Sequence, residues 1–351
     1  YKRQHLGYYP LDTVLQAGDA HVIGLQPSVF ELEEVYIEGS NIDRSGQAGE
    51  EAGVIRLNPN IAYRLPGNGD DAVFNFLRLQ PGIMAAGEQS SEMIIWGGYS
   101  GNSQLLFDGF TIFGPRNFND NISFVNPLMT KEIRVLKGGY PAEYGERVGG
   151  IVEVTGIEGN RHKPSLNLNI NNMTISGMAG LPVREKAALT LAFRHTYYNL
   201  YNAADLDLAT REDGNPNSGI DITVSPEYRF RDVNLKYSGT AGKGDHYFIS
   251  LYSGGDLFSY NAEEEGDRLR IMQAAKEKSR QTGGTAFYGR SWGKGSLSNF
   301  SLSYSGLIRE LMERQEIYLI DRDLRISFEE TQYLSGVSEI AFSNKNYFKL
   351  R

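Results

Sequence analysis

Five histidines, His5, His21, His162, His195 and His246, are the side chains of this 351-residue chain best suited to hold a metal or move a proton near neutral pH. None has a second histidine at His-x-x-x-His spacing or any other ligand at metal spacing, so each reads as a surface or wall histidine and no metal site is expected. The chain has no cysteine, which removes thiolate nucleophiles, disulfide frameworks and Cys-based zinc or iron–sulfur sites together. No Ser-His-Asp order, G-x-S-x-G elbow or phosphate loop is present, so neither a catalytic residue nor a cofactor is expected. What remains is the chemistry of binding. "WGGYSGNS" (96–103) and "DGFTIFGPRNFNDN" (108–121) mix aromatics with amides, a combination that stacks a ligand and hydrogen-bonds it. Mere turns would need Gly and Asn but not Trp96, Tyr99, Phe113 and Phe118. The candidate contacts are Trp96, Gly97, Tyr99, Ser100, Asn102, Phe113, Arg116, Asn117 and Phe118.

Composition limits what can position these loops. A formal charge of −8, from 35 Lys plus Arg against 43 Asp plus Glu, leaves no basic footprint, which argues against nucleic acid. No apolar run approaches the length of a membrane-spanning helix, but barrel strands show only alternating hydrophobicity and look polar on average. The 21 Tyr, 17 Phe and 40 Gly suit a β-protein with many turns and aromatic girdles.

Residues 1–29 read as strand, turn at Ala17-Gly18-Asp19 and strand, the tail of a small β-domain. "FELEEVYIEGS" is a short alternating stretch followed by a polar linker. From Val54 to Thr155 the pattern is a compact α+β domain, with a helix in "GDDAVFNFLRLQPG" that Asp70 would cap and Pro81-Gly82 would stop. Within it, "VLKGGYPAEYGERVGGIVEVTG" (135–156) reads as turn, turn, strand.

After Lys163, stretches such as "SLNLNI", "ALTLAFRHTYY", "VNLKYSG" and "HYFISLYS" alternate strictly. One face is apolar (Leu189, Leu191, Phe193) and the other small or polar (Thr190, Arg194, Thr196), as in a membrane barrel. Short connections at 181–186, 240–245, 293–296 and 344–346 alternate with long ones expected at about 200–222, 259–283 and 312–330. Glu263-Glu264-Glu265 falls in one of these as a solvated loop, with cation-bridged lipopolysaccharide as the sharper reading. The count is about eight strands plus the start of a ninth at Tyr347. An eight-stranded barrel is filled by its own side chains, so the expectation is part of a wider barrel.

"LQPGI" (79–83), "LLFDGFTIFGP" (105–115), "NPLMTKEIRVLKGGYPAEYGERVGGIVEV" (126–154) and "LEEVYIEG" (32–39) together resemble the plug of a TonB-dependent outer-membrane receptor, in the family's order. The chain looks in particular like the Bacteroidetes type with an N-terminal carboxypeptidase-regulatory-like β-sandwich, to whose end "HLGYYPLDTVLQAGDAHVIGLQPSVFELEEV" is similar. "FRHTYYNLY" and "RDVNLKYSG" are similar to early barrel strands of the same receptors. The resemblance implies an α+β plug domain followed by antiparallel transmembrane β-barrel strands of a barrel of about 22 strands. It divides the chain into a β-sandwich tail (1–30), a TonB-box-like segment with its linker (31–52), the plug (53–160) and the first eight or so barrel strands (161–351).

The resemblance further implies uptake of a nutrient such as a chelate, peptide or oligosaccharide, without enzymatic activity. The alternative is a barrel that never transports and serves as an adhesin or structural component. Leu32, Glu33, Glu34, Val35, Tyr36 and Ile37 would pair as an added strand with TonB, itself energised by an ExbB/ExbD-type complex. Other implied partners are outer-membrane lipid, lipopolysaccharide and a surface lipoprotein. The family usually reads Arg-Gly where this chain has Trp96-Gly97, and that arginine commonly holds the plug to the wall. Glycan importers typically read Lys-Asp-Ala-Ser where this chain has Lys137-Gly138-Gly139-Tyr140-Pro141, which argues against starch-type import.

Overall fold

The computed structural model describes residues 2–3, 11–12, 46–48, 54–57, 69–70, 72–85, 93–95, 101–114, 122–138, 144–145, 149–197, 221–242, 244–266, 268–293 and 296–348. The chain divides into two units, Tyr1–Arg44 and Ser45–Arg351. In the first, β1 (Lys2–Arg3) pairs antiparallel with β2 (Leu11–Asp12). The rest of the expected sandwich tail, and the whole segment 32–37, lie outside the described residues.

The second unit begins with short strands, β3 (Gly46–Ala48) and β4 (Val54–Leu57), and the helix α1 (Ala72–Arg78). Then follow β5 (Ile83–Ala85), β6 (Met93–Ile95), β7 (Gln104–Phe107), β8 (Phe110–Ile112), β9 (Thr130–Leu136) and β10 (Ile151–Gly156). Six of these form one sheet in the order β3-β4-β9-β10-β7-β8, in which β10 and β7 run parallel. Phe74, Phe76 and Leu77 of α1 are buried, which fits the helical spacing read from the sequence. They share a core with Phe107, Phe124, Val135 and Val152.

The glycines at 149 and 150 let β10 start against its neighbours. A Cβ at Gly149 would sit 2.6 Å from Ser103 Oγ, and one at Gly150 would sit 2.6 Å from Ile95 Cδ1 and 2.9 Å from the Leu136 carbonyl oxygen. The ammonium of Lys137, at the end of β9, donates to the Pro81 carbonyl just after α1, and burial lowers its pKa. The chain then leaves β10 for the wall, as the sequence predicts.

The wall is one antiparallel sheet of eight strands in sequence order. Its members are β11 (Ser165–Ile170), β12 (Thr174–Val183), β13 (Ala187–Thr196), β14 (Asp221–Ala241), β15 (Asp245–Glu265), β16 (Leu269–Gly293), β17 (Ser296–Leu319) and β18 (Leu324–Tyr347). Along β13 the alternation holds residue by residue: Thr190, Ala192, Arg194 and Thr196 are buried inward, whereas Leu191 and Phe193 face out. The eight strands agree with the sequence reading, but their extents do not. The long loops expected at 259–283 and 312–330 are strand, closed by tight turns after Glu265 and by the 3-10 turn Ile320–Arg322. Glu263, Glu264 and Glu265 are therefore the end of β15 and not a loop, and Tyr347 ends β18 instead of opening a ninth strand. The third expected loop, about 200–222, lies almost wholly outside the described residues.

The cause is physical. A membrane crossing needs about 9–11 tilted residues, so strands of 21 to 25 residues continue well past it. Beyond the apolar band both faces are wet. Backbone pairing continues there without the alternation that reveals it in a sequence.

Candidate functional site

The inward face of the wall meets the inner domain through buried charges. Arg194 on β13 donates from Nε to Asp232 Oδ2 on β14 (3.0 Å), and its Nη2 makes a further short bond to the same carboxylate. Its other bonds cross to the inner domain: Nη1 to the Asp70 carbonyl (3.2 Å) and Nη2 to the Ser123 carbonyl (2.8 Å). Nη1 also lies 3.7 Å from the Asp70 carboxylate. Asp70 Oδ2 accepts in turn from Asn171 Nδ2 (2.9 Å) and from Thr174 Oγ1 on β12. The sequence predicts Asp70 as a helix cap, yet its carboxylate is directed to the wall.

A second cluster lies on β14 and β15. Lys236 Nζ donates to Asp108 Oδ1 (2.8 Å) and to the Gly156 carbonyl (2.9 Å). Ser250 Oγ donates to Asp108 Oδ2 (2.8 Å), and the Gly156 amide donates to Oδ1 (2.9 Å). The ammonium also lies 4.6 Å from the centre of the Phe248 ring. Asp108 and Gly109 form the turn between β7 and β8, with φ of 47° and 94°. Two consecutive positive φ values define the tight hairpin that Asp-Gly favours. The turn geometry thus aims the carboxylate outward.

The same hairpin is stitched to the wall further round. Phe110 stacks on Tyr252 of β15, with ring centroids 6.2 Å apart. The Thr111 amide donates to Ser305 Oγ on β17 (2.8 Å), and Thr111 Oγ1 donates to Glu339 on β18 (3.2 Å). The Gln281 side-chain amide, turned to match, pairs with both backbone groups of Phe113 at 2.7 and 3.2 Å. Seven of the eight wall strands, β12 through β18, thereby hold the inner domain by side chains.

Of the candidate ligand contacts, Asn102 and Phe113 are the two among the described residues, flanking the β7–β8 hairpin. Asn102 holds the Gly149 amide through its carbonyl (3.1 Å), and half-buried Phe113 lies against β16. Trp96, Gly97, Tyr99, Ser100, Arg116, Asn117 and Phe118 lie outside the described residues, as do Leu32, Glu33, Glu34, Val35, Tyr36 and Ile37. A cavity of about 70 Å³ beside Arg194, lined by Asp70, Asn126, Asn171 and Ser176, has room for water and not for a nutrient. Among the described residues no group of His, Asp or Glu is arranged to hold a metal ion.

The sequence reading missed the anchoring residues. Their signals were present: Asp108-Gly109 between the strand triplets Leu105-Leu106-Phe107 and Phe110-Thr111-Ile112, and single cations at Arg194 and Lys236 on the wet face of otherwise uncharged strand segments.

Residues 64–152 match the family model of the TonB-dependent Receptor Plug Domain. No curated protein matches this sequence. Among solved structures, a mutant of the ferric enterobactin receptor of Pseudomonas aeruginosa is similar with 13% identity and a TM-score of 0.43, over 85% of this chain and 59% of that one. The siderophore receptor PirA of Acinetobacter baumannii has 12% identity and a TM-score of 0.41, over 86% and 59%. The outer membrane transporter YddB of Escherichia coli has 9% identity and a TM-score of 0.44, over 84% and 55%. The chain thus spans less than two thirds of each of these proteins.

Proposed function

We propose that this chain is the plug and the first barrel strands of a TonB-dependent outer-membrane transporter, which takes up a nutrient such as a chelate, a peptide or an oligosaccharide. Its place is the bacterial outer membrane, where a plug domain closes the lumen of a β-barrel. The observation that carries the reading is the polar character of the plug's anchorage. Asp70 and Asp108 are held by Arg194 and Lys236, all four buried. A buried ion pair adds little net stability, because the attraction only offsets desolvation, but it fixes one arrangement. When such a plug is pulled, water entering the gap resolvates every group it separates, whereas an apolar seam would gain nothing from water.

The pull comes from TonB with its ExbB/ExbD-type complex. By its alternating sequence Leu32 to Ile37 would add as a strand, and the polar linker after it would pass the tension to β3 and β4. Ligand would sit on the loops around Trp96 and Phe118 at the plug's apex. Residues 1–30 are the tail of a carboxypeptidase-regulatory-like sandwich of the Bacteroidetes type, supported by the motif similarity and by the pairing of β1 with β2. A surface lipoprotein and lipopolysaccharide are further partners on the same resemblance. The protein acts as a carrier and not an enzyme.

Deleting residues 32–37 tests the reading against a barrel that serves only as adhesin or scaffold. The transporter loses uptake and growth on its cognate nutrient while surface abundance stays normal. Unchanged uptake would refute energised transport through this segment.

A further inference from the structure

We infer that the outward face of the wall, where β14 and β16 leave the membrane, binds the phosphates of a bisphosphorylated glycolipid, the lipid A part of lipopolysaccharide; this deepens the membrane-barrel part of the transport reading and rests on it. Side chains alternate by two along each strand, so the register fixes the outward rows. Tyr247 pairs with Tyr288 and Tyr288 with Phe300, an aromatic row beside the tight turns that join β14 to β15 and β16 to β17. The next outward rows hold Ile249 and Leu302, then Leu251 and Tyr304, then Phe193 and Val233, all exposed. A crossing takes about 9–11 residues of a tilted strand. Counted from Tyr288 along β16 it ends at Arg280 or Lys278. Counted from Gly239, which pairs with Tyr247, along β14 it ends at Arg231 or Arg229.

The row at which the crossing ends has a built shape. Arg231 pairs with Gly255, and Gly255 with Arg280. Neighbouring strands lie about 4.8 Å apart, so the two arginines stand about 10 Å apart across a position without a side chain. The register keeps that gap open, because a Cβ at Gly255 would sit 2.7 Å from the Ser279 carbonyl oxygen. Ser253 and Thr282, paired one row nearer the membrane centre, bring hydroxyls to the foot of the gap. One row further out, Arg229 and Lys278 flank Leu257. A guanidinium presents a planar fork of donors that matches phosphate oxygens two at a time.

The charge at this edge is not compensated by the protein. Glu227 lies 3.1 Å from Arg229 and Glu310 lies 3.4 Å from Lys278, but among the described residues Arg231, Arg280 and Lys276 make no ion pair. All three are exposed. At the other edge of the apolar band the outward cation is engaged: the Arg290 guanidinium lies 4.4 Å from the centre of the Trp292 ring. What covers the basic row follows from its continuity with the lipid-facing band. An occupant there meets apolar side chains at Val233 and Leu251 and cations immediately beyond them, so it needs acyl chains and phosphate joined at one headgroup. Inorganic phosphate has nothing to bury on the band, and an uncharged lipid leaves the cations unanswered.

The test uses the whole receptor, purified in detergent and freed of lipid, and native mass spectrometry with three probes: bisphosphorylated lipid A, the same lipid with both phosphates removed, and phosphatidylglycerol. Lipid A should bind at least tenfold more tightly than either of the others, and inorganic phosphate at the same concentration should not displace it. Arg231→Gln with Arg280→Gln should weaken lipid A at least tenfold and leave the dephosphorylated lipid unmoved, while Arg290→Gln at the opposite edge changes neither. Equal binding of all three lipids, displacement by inorganic phosphate, or an unmoved affinity in the double variant would overturn the site. Binding of none of them would overturn the lipid-facing wall as well. Lipid binding is read without energy input, so loss of uptake on deleting 32–37 and loss of lipid A are separate results.

Discussion

Arg194 on the wall and Asp70 on the plug face each other across a buried interface: Nη1 stands 3.7 Å from Oδ1, with the side chains 0% and 5% exposed. The guanidinium shares its donors between that partner, Asp232 and two plug carbonyls. Removing it leaves two carboxylates buried beside each other.

Arg194→Met should therefore destabilise the plug by about 3–5 kcal/mol, the cost of stranding a buried charge. The sequence supplies its own reporter, since its two tryptophans are Trp96 and Trp292, one in the plug and one in the wall. In a Trp292→Phe background, urea unfolding followed through Trp96 reads the plug alone. Arg194→Lys, which keeps charge but not the fork, should lose less. An unshifted midpoint for Arg194→Met would show that the latch is energetically idle.

Lys236 and Asp108 should be coupled. Each of Lys236→Met and Asp108→Asn strands its partner, so each alone lowers plug stability. The pair together should cost less than the sum, with an interaction of about 0.5–3 kcal/mol. Strict additivity in the same urea titration would mean that the two groups do not depend on each other.

Gly283 is a notch for Phe110. A Cβ there would sit 2.3 Å from the Phe110 Cδ2 atom, and the ring, sandwiched against Tyr252, has nowhere to retreat. Gly283→Ala should cost about 1–3 kcal/mol of plug stability by overpacking, and adding Phe110→Leu should recover part of it. A neutral Gly283→Ala would show that the hairpin docks less tightly than the geometry states.

Trp96→Ala together with Phe118→Ala should weaken ligand binding at least tenfold, since burying one aromatic contributes about 1.5–3 kcal/mol. Competition for uptake across a nutrient panel identifies the ligand first, and calorimetry on the double variant follows. Undiminished affinity would place the ligand wholly on the wall, with these rings packing the plug.

What the sequence by itself determined is local. Strict alternation around Leu191 and Phe193 specified both the strands and which face meets lipid, because a pleated strand sends neighbouring side chains to opposite sides. Helical spacing of Phe74 and Leu77, with Pro81-Gly82 after them, specified α1 to within a residue or two. The motif order from "LQPGI" to "GGIVEV" specified the plug that the family match spans.

Only the tertiary structure decided the rest. The strands run on where the sequence reads as loops, since hydrogen bonds between neighbours persist past the end of the apolar signal, as far as Glu265 and Leu319. The latches join residues 128 and 124 positions apart, Lys236 to Asp108 and Arg194 to Asp70. Nothing in either local sequence reveals a partner so distant. A lone arginine on a wet face and an aspartate before a helix each have an ordinary solvated meaning, and burial of one against the other is what turns them into an anchor.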